Sequence, residues 1–238
     1  DLRTKLTYYK NGTPIDTNYT YYSNHLLATT DLPGFAGRNV TTNVYDGNGN
    51  LIRTQDARLT TIERTYDLNN RLTAKGYPDG STVAYTYDAT GNILTILDNN
   101  TNTINEYDDL SRLTKVTDNK YSPAKIIQYS YYEDGTRKTM LDPESNLTAY
   151  AYDAAKRLLT VTRNNVIEGT YQYNALGLRT KLIEGNGAYT EYEYNHPLKW
   201  LTALYNKKSD GSIISSFIYQ HDKVGNRTRM DLFGGDYI

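Results

Sequence analysis

Tyr85-Thr86-Tyr87-Asp88-Ala89-Thr90-Gly91-Asn92-Ile93-Leu94-Thr95-Ile96-Leu97 holds a strand, a turn and a second strand in thirteen residues. Tyr85-Thr86-Tyr87 alternates with a period of two and uses strand-favouring side chains. Asp88 can accept a hydrogen bond from its own backbone two residues on, and Gly91 can take a positive φ, so Asp-x-x-Gly reads as a tight turn closing a hairpin. Asn92 to Leu97 is then a second extended run, ended by the turn residues Asp98-Asn99-Asn100-Thr101. One unit of this kind is two antiparallel strands.

The unit recurs along the whole chain. Aligned on the tyrosine before the turn, the anchors are Tyr22, Tyr45, Tyr66, Tyr87, Tyr107, Tyr132, Tyr152, Tyr173, Tyr194 and His221, with spacings of 23, 21, 21, 20, 25, 20, 21, 21 and 27. A period that regular is the signature of a repeat architecture. The next residue is Asp at Asp46, Asp67, Asp88, Asp108, Asp153 and Asp222, with Glu133, Asn174 and Asn195 as near equivalents. Gly49, Gly91, Gly177 and Gly225 follow the anchor by four, and Arg71, Arg112, Arg137 and Arg157, or else Asn50, Asn92 and Asn226, follow it by five. The pattern also accounts for 25 Tyr against three Phe and one Trp. The reading is therefore all-β: a ribbon of antiparallel hairpins, about ten repeats of ~21 residues, with strands ending at the Asp positions and no helix longer than two turns. Equivalent anchors, Tyr66, Tyr87, Tyr107, Tyr152 and Tyr173, are expected to line one face.

Ten hairpins give about twenty strands, roughly 95 Å along the hydrogen-bonding direction at ~4.8 Å per strand. Open sheets beyond about ten strands curl or split, so closure or spiralling is expected. Large aliphatic residues are too few to fill a two-layer core, whereas Tyr can cover a face and keep its hydroxyl wet. With no linker in evidence, residues 1–238 read as a single array. Longer connections around residues 31–35, 119–123 and 207–211 read as loops protruding from the sheet.

The 26 basic and 27 acidic residues are interspersed, which leaves no electrostatic footprint for nucleic acid. The absence of Cys excludes disulfides and thiol catalysis. No apolar run reaches the eighteen or more residues of a membrane span. Asp1-Leu2-Arg3-Thr4-Lys5-Leu6 matches Gly177-Leu178-Arg179-Thr180-Lys181-Leu182, so the chain is expected to begin in mid-repeat, as a fragment of a longer shell, and to need neighbouring repeats for stability.

Thr86-Tyr87-Asp88-Ala89-Thr90-Gly91-Asn92-Ile93-Leu94 and Thr65-Tyr66-Asp67-Leu68-Asn69-Asn70-Arg71-Leu72-Thr73 resemble the YD repeat of the rearrangement-hotspot (Rhs) proteins. The same repeat occurs in wall-associated proteins of Gram-positive bacteria, in shell components of insecticidal toxin complexes and in animal teneurins. The resemblance covers essentially the whole chain. It implies a hairpin ribbon spiralling into a hollow shell, which in bacterial polymorphic toxins holds a C-terminal toxin domain until delivery. It also implies a bacterial protein that is secreted or at the cell surface, cytosolic before export. Members that release a toxin carry an autoproteolytic aspartate pair in a plug region; none is found here, and Asp142-Pro143 is an isolated dipeptide in a repeat turn.

Candidate chemistry is sparse. The histidines His25, His196 and His221 occupy three different repeat slots, and His221 reads as an aromatic stand-in for Tyr. Asp46-Gly47-Asn48-Gly49-Asn50 begins like a calcium loop, but Leu51 stands where Gly is required and Ala57 where the bidentate Glu belongs. The recurrent aspartates share one turn slot and lack the paired, differently tuned environments of acid–base catalysis. The arginine row is expected to pair with acids of adjacent repeats or to lie over Tyr rings. No catalytic, cofactor or metal residue is assigned; the residues singled out, Tyr45, Asp46, Gly49, Tyr66, Asp67, Arg71, Tyr87, Asp88, Gly91, Tyr107, Asp108, Arg112, Tyr152, Asp153, Arg157, Tyr173, Gly177, Asp222 and Gly225, define the repeat.

The leading expectation is a non-enzymatic shell segment, partnered by the remainder of its own polypeptide including an enclosed toxin. One alternative is an adhesion module that recognises a cell-surface glycan or protein. The other is the scaffold of a self-cleaving or carbohydrate-active protein whose active site lies outside this stretch.

Overall fold

Strand begins where the alternation begins and stops on the anchor itself in the computed structural model, which describes residues 2–33, 40–195 and 198–232. The chain divides into two compact units, Asp1–Lys125 and Ile126–Ile238. The strands of the first are β1 (Lys5–Lys10), β2 (Thr13–Tyr21), β3 (Leu27–Asp31), β4 (Val40–Tyr45), β5 (Leu51–Gln55), β6 (Thr61–Tyr66), β7 (Leu72–Gly76), β8 (Thr82–Tyr87), β9 (Ile93–Asp98), β10 (Asn102–Tyr107) and β11 (Leu113–Asp118). Each from β1 to β10 pairs antiparallel with the strand that follows it in the chain.

The second unit repeats the meander. Its strands are β12 (Lys125–Tyr131), β13 (Arg137–Leu141), β14 (Leu147–Tyr152), β15 (Leu158–Arg163), β16 (Val166–Tyr173), β17 (Arg179–Glu184), β18 (Tyr189–Tyr194), β19 (Leu201–Lys207), β20 (Ile213–His221) and β21 (Arg227–Leu232), again paired in chain order. Every described element is a strand, 21 in all, and no helix occurs among the described residues. The fold is all-β, as the alternation predicts.

In each hairpin that ends on an anchor the register shifts by one residue at that anchor, with Tyr66 opposite Leu72 while Thr65 is opposite Ala74. The same step recurs at Tyr45, Tyr87, Tyr107, Tyr152, Tyr173, Tyr194 and His221. It also occurs at Tyr21 and Tyr131, not at Tyr22 and Tyr132. The alignment on Tyr22 and Tyr132 is therefore one residue late in those two repeats. With Tyr21 and Tyr131 as anchors, the outlying spacings of 23, 25 and 20 become 24, 24 and 21.

Directly opposed residues share a face. Two before the anchors, Tyr85, Tyr129, Tyr150, Tyr171, Tyr192 and Tyr219 lie opposite Ile96, Met140, Val161, Leu182, Leu204 and Met230. One before the anchors, the pairs are Thr20–Thr29, Thr86–Thr95, Ser130–Thr139, Glu106–Lys115 and Gln172–Lys181. One face is thus aromatic and aliphatic, and the other carries hydroxyls and charge. Among the described residues the only buried apolar side chain is Ala203, at 3 % exposure, with Thr17 and Asn43 the buried polar ones. Tyr covers a layer rather than filling a core, as its amphipathic ring allows.

The extra length around residue 210 is not a protruding loop. Lys208 N–H donates to the Ser212 carbonyl and Gly211 N–H to the Lys208 carbonyl, a turn like the others. The additional residues lengthen β19 to seven and β20 to nine. Gly34 and Phe35, in the first of the proposed loops, lie outside the described residues.

Candidate functional site

The row of turns that follow the anchors concentrates the named residues. At Asp46 the backbone N–H donates to the Asn50 carbonyl (3.0 Å) and Gly49 N–H donates to the Asp46 carbonyl (3.1 Å). This is a three-residue hairpin loop whose last residue is left-handed, which Gly supplies at no steric cost. That slot has φ of 86° at Gly49 and 99° at Gly91, and is filled at φ 60° by Asn70, Ser111 and Lys156 elsewhere.

The aspartate braces the loop from inside. Asp67 Oδ1 accepts the N–H groups of Asn69 and Arg71, both at 2.9 Å, and Oδ2 accepts Arg71 Nε at 2.7 Å. Asp108 with Arg112 and Asp153 with Arg157 repeat the arrangement. At Asp46, Asp88 and Asp222 the guanidinium is replaced by the Nδ2 of Asn50, Asn92 and Asn226. The Arg71 backbone N–H, aided by its guanidinium, holds the Asp67 carboxyl below its ordinary range. At Asp88 partial desolvation pushes upward, and the donors from Asn92 and Thr90 outweigh it to give a pKa of about 2. Carboxylates saturated in this way are acceptors in a turn and have no proton to exchange at neutral pH.

Arg71, Arg112 and Arg157 pair with the acids of their own turns rather than with those of an adjacent repeat, while the other expected arrangement, over a Tyr ring, is present. The adjacent repeat receives the rest of the side chain. Arg71 donates from Nη1 to the Asp88 carbonyl (3.0 Å) and lies 4.7 Å over the Tyr87 ring. Arg157 reaches the Asn174 carbonyl and lies 4.7 Å over Tyr173. Trp200 takes the same position against His221, with ring centroids 5.4 Å apart, and packs beside Gly225. His221 is thus an aromatic anchor; His25 holds a left-handed turn position with φ 67°, and His196 lies outside the described residues. Arg137 belongs to a different row, six after its anchor. There Arg137, Arg179 and Arg227 lie over Tyr129, Tyr171 and Tyr219 of their own hairpins.

Tyr22 and Tyr132, displaced from the anchor slot, occupy the Asp slot and reach the next repeat as well. Tyr22 packs edge-on against Tyr45 and donates to the Asn43 carbonyl; Tyr132 does the same to Tyr152 and the Tyr150 carbonyl. A cleft of about 620 Å³ lies against Tyr132, Glu133, Asp134, Lys138 and Tyr152. Asp134 is engaged there by Thr136 and Lys156. The doubled tyrosines Tyr21-Tyr22 and Tyr131-Tyr132 hid this role, though Gly135, four after Tyr131, marks the register.

Several anchor phenols also close the ladder behind them. Tyr66, Tyr87, Tyr107, Tyr173 and Tyr194 donate to the carbonyls of Leu51, Leu72, Ile93, Leu158 and Arg179, each the first residue of an earlier strand. Tyr66→Phe keeps the ring and removes the donor to Leu51, so it is expected to lower stability by about 1 kcal/mol. The shift in denaturant midpoint against Tyr66→Leu, which also loses the ring, checks this.

These turns and clasps are the recurring parts of a known module, and a family model described as teneurin YD-shell matches residues 38–226. The chain belongs to the teneurin YD-shell family. Among curated proteins, this YD-shell chain is similar to tRNA nuclease WapA of Bacillus subtilis (strain 168), 30% identical over 160 residues that make up 65% of the chain and 6% of that protein. It is also similar to double-stranded DNA deaminase toxin A of Burkholderia cenocepacia (strain H111), 28% identical over 141 residues, 57% of the chain and 9% of that protein. The fold matches the crystal structure of TcdB2-TccC3-TEV, with a TM-score of 0.70 and 16% identity over 98% of this chain and 15% of that one. It likewise matches the Photorhabdus luminescens Tc holotoxin pore, with a TM-score of 0.66 and 16% identity over 94% and 14%. The YD-shell chain therefore spans a small fraction of the length of each of these proteins.

Proposed function

We propose that this chain is a stretch of shell wall in a larger bacterial toxin protein that is exported and encloses or presents an effector domain, and that it contributes no catalysis itself. The observation that carries the reading is the lateral construction: six of the turns are braced by their own aspartate and several are clasped to the next anchor, while a core is nearly absent among the described residues. Such a layer gains stability by extending sideways, and it suits a wall. Its relatives support a toxin setting, since two of them are called nuclease or deaminase toxin. No helix long and apolar enough to cross a membrane occurs among the described residues.

Limited proteolysis of the full-length polypeptide that contains these repeats tests the proposal. The effector segment is expected to survive a protease concentration that degrades the same segment expressed alone. Equal digestion of the two would show that the wall encloses nothing.

A further inference from the structure

We infer that the cleft between the turns at 131–136 and 152–157 is a seat for a guanidinium group, taken by an arginine side chain that another polypeptide segment presents. The molecule holds two filled examples of such a seat. Arg71 lies 4.7 Å over the Tyr87 ring and donates from Nη1 to the Asp88 carbonyl, which also accepts the Gly91 N–H. Arg157 lies 4.7 Å over the Tyr173 ring and donates to the Asn174 carbonyl, which also accepts the Gly177 N–H. Each seat is thus an anchor ring together with the second lone pair of the next residue's carbonyl, filled by the arginine five after the preceding anchor.

At the step from Tyr131 to Tyr152 the filler is missing. Five after Tyr131 stands Thr136, whose short side chain is bonded back to Asp134. The Asp153 carbonyl accepts the Lys156 N–H and no other donor among the described residues. The Tyr152 phenol has no hydrogen-bond partner among the described residues, whereas those of Tyr66, Tyr87, Tyr107, Tyr173 and Tyr194 all donate to carbonyls. The space left open is the cleft of about 620 Å³, with Thr136, Tyr152 and Asp153 on its lining. Tyr132 meets Tyr152 edge-on at 6.3 Å and supplies a second aromatic wall. A cation gains against a ring face, where an anion meets the negative side of the quadrupole. Of the carboxylates on the lining, Asp153 is saturated by its own turn and Asp134 is engaged by Thr136 and Lys156. Glu133 is left without a partner among the described residues, while Lys138 is drawn over Tyr132, 5.7 Å from the ring.

The test follows amide hydrogen exchange in the full-length polypeptide that contains these repeats as N-acetyl-arginine methylamide is added, with the uncharged citrulline analogue and glucose as comparators. Saturable slowing is expected at residues 132–136 and 153–157, with no change at 67–71 and 88–92, where Arg71 already fills the seat. The citrulline analogue is expected to bind about tenfold more weakly or worse. Thr136→Arg is expected to fill the seat from within, slowing exchange in the same two turns without any additive and abolishing the response to the arginine analogue. Equal responses to the arginine and citrulline analogues, a stronger response to glucose, or an undiminished response in Thr136→Arg overturns the inference. So does slowing at 67–71 equal to that at the cleft, since the guanidinium would then be acting on the sheet at large.

Discussion

Gly185→Ala is expected to be the most damaging single-methyl substitution among the described glycines, costing about 3 kcal/mol, the upper part of the usual range for overpacking. A Cβ there would stand 2.3 Å from the carbonyl oxygen of Ile167 and 3.4 Å from its carbon. The obstacle is main chain, so no rotamer change relieves it. Gly185 N–H also donates to the Glu168 carbonyl, which pins the two segments at the close approach. Relief would require β16 to slide against β17, and a slip of one residue turns a strand's side chains to the opposite face. Gly47→Ala is the control: nothing lies within 4 Å of its Cβ position, and an effect within about 0.5 kcal/mol is expected. Denaturant unfolding of the two variants, with exchange at β16 to β18 as the local readout, decides the matter. Equal midpoints would mean that the close approach yields without cost.

Acid is expected to unfasten the turn row as a whole. Asp46, Asp67, Asp88, Asp108, Asp153 and Asp222 all have carboxyl pKa values below their ordinary range. A carboxylate depressed on folding contributes stability that is complete above its unfolded pKa, about 3.9, and is lost as pH falls through the folded value. At Asp88 the folded value is about 2. The thermal midpoint should therefore hold nearly constant from neutral pH to about 5 and fall steadily toward about 2. Asp88→Asn separates turn geometry from titration, because Asn174 already fills this slot and accepts the N–H groups of Leu176 and Leu178 at 3.0 Å. That variant should keep its hairpin at pH 7 and show a shallower acid limb. A midpoint that does not change between pH 5 and 2 would exclude the carboxylates as the brace.

Where the repeat is regular, sequence and structure agree closely. Alternation before Tyr66, Tyr87, Tyr107 and Tyr152 and the Asp-x-x-Gly chemistry after several anchors locate strand ends to within a residue, because both signals are local. Doubled tyrosines defeat the same reading: in Tyr131-Tyr132 either ring satisfies the pattern, and only the left-handed slot at Gly135 or the Tyr129-x-Tyr131 spacing separates them. Misplacing that anchor moved Arg137 into the wrong row. The Tyr rings under the arginines were expected, but their acid partners were illegible for another reason. A loop this tight brings residues four apart into contact, so Arg71 meets Asp67 before it can reach a neighbour, while its outer nitrogen and flat face remain for Tyr87. Asp56 and Asp142 form the same braced turn on the opposite edge, without a tyrosine ahead of them to draw notice.

That Ala203 is the single buried apolar side chain among the described residues has a thermal consequence. The heat capacity gained on unfolding comes from apolar surface newly wetted, typically about 12–15 cal/mol/K per residue in folded domains. A layer that leaves its aromatic and aliphatic side chains part-wetted on folding has less to release. Its free energy of unfolding accordingly bends little with temperature, so such a wall weakens gradually on warming and gives up little of its hold in the cold.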